Sequence, residues 1–433
     1  MIPRYQTDAM AKIWSDAAKF ACWFDVEIAH VEARDFANHA MLLKQKHAEI
    51  NWDNFVVDLS EHEKYLKHDV IAFLKTLEDL LGDDAREIHR GLTSSDIVDT
   101  AFALQLKNAG THIQKNLRLL LQALWHQAQQ ARGKLCLGRT HGQAAQVTTF
   151  GIKLLGFISE FVRDYERLDH AIKNISFGKL SGAVGNYAYS SPEIEQKALA
   201  LLGLQAEPVA TQIVARDRHA EYFMSLAILA GSLERLALEL RLLSHGNIRE
   251  AAEFFSSKQQ GSSAMPHKKN PVLCENISGL MRLVRSYALA SLENQALWHE
   301  RDISHSSVER IAAPDATMLI DFALTRMTTI IKYFMLDFEH MKAHIKEAGS
   351  SLLSQAILIA LMDKGLGRSE AYMLVQKAAL SSQRDFKQAL IKAGIYNFLS
   401  EPELDIIITH ELVINSEDIL FKRIETMLDK IAL

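Results

Sequence analysis

The sequence predicts an all-α protein built around a bundle of long helices, and three observations carry that reading. Proline lacks an amide hydrogen and breaks helix interiors. It occurs only seven times in 433 residues, and none falls between Pro3 and Pro192, Pro208 and Pro266, or Pro314 and Pro402. Within the second of these tracts Leu226, Leu229, Leu233, Leu236, Leu240 and Leu243 recur at alternating three- and four-residue steps, a heptad seam that closes one helix face against neighbours. Alternating, strand-like stretches are scarce.

In chain order, a helical region runs to about residue 110, a long central bundle occupies 111–365, and a C-terminal helical region fills 366–433. The central region opens with an apolar stripe of Ile113, Leu117, Leu120, Leu121 and Leu124. The glycine cluster "GKLSGAVGNY" at 178–187 reads as a loop between long helices. After Pro271 the stripe returns as Ile277, Leu280, Met281, Val284 and Ala288. Such seams leave apolar faces that other subunits can complete, so an oligomer is expected.

Composition excludes several classes. With 48% hydrophobic residues the chain buries ample core, and a net charge of −5 lacks the basic excess of a nucleic-acid binder. Cys22, Cys136 and Cys274 are odd in number and widely spaced, which fits a reducing cytosol and no disulfide framework. "MIPRYQTDAM" has no apolar signal-like core, and the longest apolar run, "AILIALM" at 356–362, is far short of a bilayer span. A cytoplasmic protein without membrane or nucleic-acid partners is the expectation.

Four stretches carry chemistry. "GSSAMPHKKNP" at 261–271 is forced out of helix by Pro266 and Pro271, and it crowds Ser262, Ser263, Lys268 and Lys269 together with no acidic residue. Hydroxyls, amides and positive charge on one loop point to an anionic ligand. In "GRTHGQAA" at 138–145, His141 sits between glycines that allow close backbone approach, and histidine is the natural proton-transfer residue near neutral pH. In "GLTSSDIVDTA" at 91–101, Thr93 and Asp96 have capping-box spacing, and the same helix start can hold a carboxylate or phosphate. "LWHERDISHSSVERI" at 297–311 is a polar, histidine- and arginine-rich rim; it lacks HExxH spacing, so no metal is expected. "KHDV" at 67–70 adds His68 and Asp69 next to Lys67. No GxxxxGK[ST] or GxGxxG fingerprint is present, so no cofactor is expected.

Together these motifs resemble the fumarase/aspartase superfamily. "GSSAMPHKKNP" is similar to its signature loop, and "GRTHG", "GLTSSD" and "WHERDISHSSVERI" resemble the adenylosuccinate lyase branch, over essentially the whole chain. The resemblance implies three helical domains whose central helices form a twenty-helix core in a homotetramer, with each active site assembled from three subunits. It implies a C–N lyase that releases fumarate from adenylosuccinate, giving AMP, and from the succinylaminoimidazole carboxamide ribotide (SAICAR), giving AICAR. Another superfamily lyase, such as argininosuccinate lyase, aspartase or a cycloisomerase, would share the loop but not the nucleotide contacts, and "RDISHSSVERI" speaks against it.

The resemblance also assigns roles. Ser262 would be the base, chosen over adjacent Ser263 by its place in the motif, and His141 the acid that protonates the departing nitrogen. Lys268 and the loop amides would stabilise the alkoxide, with Gly261 as the hinge of a closing lid. His68 would support His141 or the phosphate end. Glu275 would either orient His141 or be a solvated first-turn carboxylate. Substrate contacts carried over are Arg4, Tyr5, Lys67, His68, Asp69, Thr93, Ser94, Gln212, Ser263, Lys268, Lys269, Asn270, Asn276, Arg301, Ser307, Val308, Glu309, Arg310 and Ile311. Lys67 and Lys269 stand where arginine is common, which keeps charge but loses bidentate geometry.

Overall fold

The computed structural model describes residues 1–255, 261, 264–381, 385–409 and 416–433, with the backbone alone at 350, 351 and 409. Long helices dominate it, at Ser94–Gln130, Phe150–Ile175, Asp217–Leu243, Val272–Glu293 and Ser304–Tyr333. The class expected from proline placement and heptad seams is the class observed. Leu226, Leu229, Leu233, Leu236, Leu240 and Leu243 are all buried, as are both other stripes, so the sequence period maps directly onto packing.

Contacts divide the chain into two compact units. The first comprises Met1–Leu120, Arg163–Ala237 and Glu275–Thr328. Its N-terminal helices close over an aromatic cluster in which Phe20 meets Trp23 edge-on at 5.0 Å and Phe73 lies against both. The second comprises Leu121–Val162, Leu238–Cys274 and Thr329–Leu433. In its C-terminal part Ile357, Leu361, Phe386, Leu390 and Leu404 form a separate small core.

Two features depart from the proline and periodicity reading. The Ser304–Tyr333 helix runs through Pro314, which in the sequence bounds one of the proline-free tracts. A proline removes one ladder bond; here the Thr317 hydroxyl donates to the Ala313 and Pro314 carbonyls just beyond it, while the flanking Ala313 and Ala316 are fully buried. The second is an antiparallel hairpin, Leu135–Thr140 paired with Gln143–Thr149. Its loop is His141–Gly142, both at positive φ (54° and 74°), the conformation that two-residue hairpin turns require.

Candidate active site

In the second unit His141 occupies the exposed tip of the hairpin. The strand register slips between Gly138 and Arg139, a bulge of the kind that re-aims side chains near active sites. Gly138 is required there, since a Cβ would lie 2.9 Å from the Gln146 carbonyl oxygen. Arg139, two residues before His141, turns into the protein: its guanidinium donates to both Glu250 oxygens at 2.9 and 2.6 Å. Burial raises the Glu250 carboxyl, but hydrogen bonds from Arg139 and His344 outweigh it and hold the group below the usual carboxylate range.

The signature loop lies in the same unit. Ser262 and Ser263 lie outside the described residues, while Lys268, Lys269 and Asn270 are described. As the prolines require, Met265–Asn270 is not helical, and the Lys268 amide donates to the Met265 carbonyl at 3.0 Å. Lys268 and Lys269 are both exposed, and the Lys269 ammonium sits 5.4 Å from the centre of the Phe255 ring. A Cβ on Gly261 would stand 2.8 Å from the carbonyl oxygens of both Pro266 and Lys268. Close approach of the loop to itself is thus one reason that residue 261 is a glycine.

In the first unit the carried-over residues fall into two groups. Tyr5, in the Pro3–Tyr5 turn beside exposed Arg4, packs edge-on against Phe322 and accepts a hydrogen bond from Asn276 at 3.4 Å. Glu275, one residue earlier, is an exposed first-turn carboxylate of the Val272–Glu293 helix. Lys67 ends one helix in the left-handed conformation, His68 caps the next through Nδ1, and Asp69 begins it. Asp69 accepts from Arg310 at 2.6 Å; burial raises its carboxyl, but the Arg310 hydrogen bond and charge prevail and lower it.

The second group centres on Arg301 and Arg216. The Arg301 guanidinium is held by Gln212 Oε1 at 3.0 Å and His305 Nε2 at 3.3 Å, and among the described residues it has no carboxylate partner. Burial and the nearby Arg216 charge make its protonated form less favourable. Arg216 is the opposite case, buried and bound by Asp99 at 2.6 and 2.8 Å and by Glu309 at 2.9 and 3.1 Å. Burial alone pushes the Asp99 carboxyl up, yet Arg216 outweighs this and holds it at about 2. These groups border a cavity of about 320 Å³, walled on its apolar side by Trp14, Trp23 and Phe102.

Helix geometry separates the five consecutive residues carried over at 307–311. A step of roughly 100° per residue spreads them around the axis, leaving Ser307 and Ile311 exposed and Val308 half-buried. Glu309 is 7% exposed, its oxygens accept from Arg216 and pair with His305, and it borders the same cavity. Sequence reasoning had not singled out Arg216, Asp99 or Gln105 in this cavity; none stands in a spacing that announces chemistry.

Thr93 and Ser94 open the Ser94–Gln130 helix. The Asp96 carboxylate reaches back to the Thr93 amide at 2.8 Å, the expected half of a capping box. The same carboxylate pairs with Lys179 of the glycine-rich loop and accepts from the Gly182 amide at 3.2 Å. Thr93 and that loop border a second cavity of about 340 Å³. The loop read as a connector is thus fixed to the helix that carries Thr93. Among the described residues no cluster of metal-ligating side chains occurs, and no helix is long and apolar enough to cross a membrane.

A family model described as lyase matches residues 4–285, and the chain belongs to that family. Its relatives place it with the adenylosuccinate lyases. It is 41% identical to the adenylosuccinate lyase of Thermotoga maritima over 98% of this chain and all of that one, and 46% identical to that of Synechocystis sp. over 88% of each. The Bacillus subtilis adenylosuccinate lyase is 40% identical over 98% of this chain and 99% of its own length. In three dimensions the chain is similar to a fumarate lyase from Mesorhizobium sp. BNC1 (TM-score 0.87, 22% identity, 98% and 99% of the two chains). It is also similar to the 3-carboxy-cis,cis-muconate lactonizing enzyme of Pseudomonas putida (TM-score 0.85, 24% identity, 99% and 98%). At these identities the structural likeness speaks for the fold.

Proposed function

We propose that this chain eliminates fumarate from adenylosuccinate, giving AMP, and from SAICAR, giving AICAR, in purine nucleotide biosynthesis. The observation that carries the reading is 40–46% identity to adenylosuccinate lyases over 88–98% of the chain. Small-molecule nucleotides are the substrates, and no cofactor takes part.

In the proposed reaction, Ser262 as alkoxide takes the proton from the carbon next to a succinyl carboxylate. The C–H electron pair becomes the new C=C bond after charge has built up on that carboxylate. The C–N pair leaves with nitrogen, which takes a proton from the His141 imidazolium. Preorganised donors aimed at such developing charge supply much of the catalysis in sites of this kind. Lys268 and the loop amides stabilise the serine alkoxide, and closing of the loop excludes water. His68 and Glu275 support the acid or the phosphate end, and Arg4, Tyr5, Lys67, Asp69, Thr93, Ser94, Gln212, Arg301 and Arg310 bind the remainder of the substrate. The support for Arg301 as an anion contact is its setting: an amide and an imidazole orient it without neutralising it.

The assembly we propose is a cytoplasmic homotetramer of three-region chains (1–110, 111–365, 366–433) with a twenty-helix core and sites shared among three subunits; a solution mass below four chains would remove it. The activity is tested by following adenylosuccinate cleavage by ultraviolet absorbance with purified protein. Ser262→Ala and His141→Ala should each remain folded and lose about 10²- to 10⁴-fold in turnover. Near-normal turnover in either variant removes that residue's role, and no fumarate from the parent protein removes the activity.

A further inference from the structure

A two-stranded hairpin is marginal on its own, so the position of His141 depends on what holds the hairpin next to its turn, where Arg139 stands opposite Ala144. The Arg139 guanidinium provides that hold, with a two-pronged bond to Glu250, which is 1% exposed. Glu250 is in turn fixed from three sides. His344, on the Phe338–Ala348 helix, meets its carboxylate at 2.7 Å; its amide donates to the Leu243 carbonyl at 2.9 Å; and its carbonyl accepts from the Asp337 amide at 3.0 Å. The bulge between Gly138 and Arg139 is what turns the arginine inward while the chain continues to the tip.

Three residues further on, Glu253 accepts from the amides of Leu273 and Cys274 at 3.2 and 2.7 Å, where the 261–271 loop passes into the Val272–Glu293 helix. Between the two glutamates lies the short strand Ala251–Ala252, paired with Met335–Leu336. The hairpin that carries the acid and the end of the loop that carries the base are therefore attached to one four-residue segment.

We infer that Arg139 and Glu250 are positioning residues for His141, fixing the hairpin that presents its imidazole. The inference rests on His141 being the acid of the proposed elimination. Misplacing a reacting group by about 1 Å can cost on the order of 100-fold in rate. Arg139→Lys keeps the charge but not the two-pronged geometry, and Glu250→Gln keeps the shape but not the charge.

The test is a double-mutant cycle on the full-length enzyme with adenylosuccinate, using single-turnover measurements for slow variants. Arg139→Lys and Glu250→Gln should each lower kcat by about 10- to 100-fold with KM changed by less than about 3-fold. In a His141→Ala background the same substitutions should cost less than about 2-fold more, because the group they position is gone. The same fractional loss in that background, or a kcat near the parent's in the single variants, overturns the inference while leaving the acid assignment intact. Should Glu250→Gln fail to fold, Arg139→Lys alone decides the point. Full activity of His141→Ala would instead remove the acid assignment, and the positioning role with it.

Discussion

Lys179→Met should be among the most damaging single substitutions outside the reacting groups. Lys179 and Asp96 are both fully buried and paired with one another, and Lys179 also donates to the Gly182 carbonyl at 2.8 Å. Breaking a buried pair by removing one partner costs about 3–5 kcal/mol, because the remaining charge is left without compensation. Two amide donors stay with Asp96, from Thr93 at 2.8 Å and Gly182 at 3.2 Å, and these bring the cost toward the lower end. The Gly182 carbonyl loses its lysine donor, adding about 1 kcal/mol. A loss of about 3–4 kcal/mol is expected from urea unfolding followed by circular dichroism at pH 7 and fixed protein concentration. The double variant Lys179→Met/Asp96→Asn removes both charges while an amide oxygen can still accept from Thr93, so it should recover about 2 kcal/mol. A single variant within about 1 kcal/mol of the parent, or a double variant no more stable than the single, refutes the reasoning.

The Asp99–Arg216 pair predicts an acid limb in stability. The folded Asp99 carboxyl is held at about 2, below its unfolded value, so its contribution is complete above about pH 5 and is lost as pH falls through about 2. Asp99→Asn should cost on the order of 2 kcal/mol at neutral pH and flatten the urea midpoint between pH 4 and 2; parallel curves for variant and parent exclude the pair as the source. Gly261→Ala places a methyl against two backbone oxygens, so kcat/KM should fall by about 10-fold or more while the unfolding midpoint holds. An unchanged kcat/KM means the loop accommodates a Cβ without moving.

The helical frame was legible because burial follows the helical period without regard to distant partners: Leu226 through Leu243 name their own buried face. The hairpin was not. Its first strand reads Leu135, Cys136, Leu137, Gly138, with no alternation, and its second opens on Gln143 and two alanines. The one local signal was the His141–Gly142 pair, a two-residue turn with glycine second, which the chemistry of histidine overshadowed. Likewise the glycine-rich loop at 178–187 looked like a connector because its purpose is set by Asp96, more than eighty residues upstream. Spacing rules reach a few residues; tertiary pairing does not respect that range.

Charge was the least legible property of the candidate site, and the reason is physical. A sequence counts cations, but a site works with those whose charge is still available to a ligand. Arg139 and Arg216 sit in or near the motifs and are each satisfied by buried carboxylates, so they set geometry. Lys269, in the middle of the signature loop, lies over an aromatic ring. Arg301 is instead oriented by the Gln212 amide and the His305 ring, with no carboxylate bonded to it among the described residues, and its charge therefore remains to meet an anion. Two arginines of identical intrinsic chemistry, Arg216 and Arg301, both contact His305 and border the same cavity. What separates the one that holds the protein from the one fitted to hold a ligand is whether its neighbours carry a proton-free carboxylate, and only the folded chain decides that.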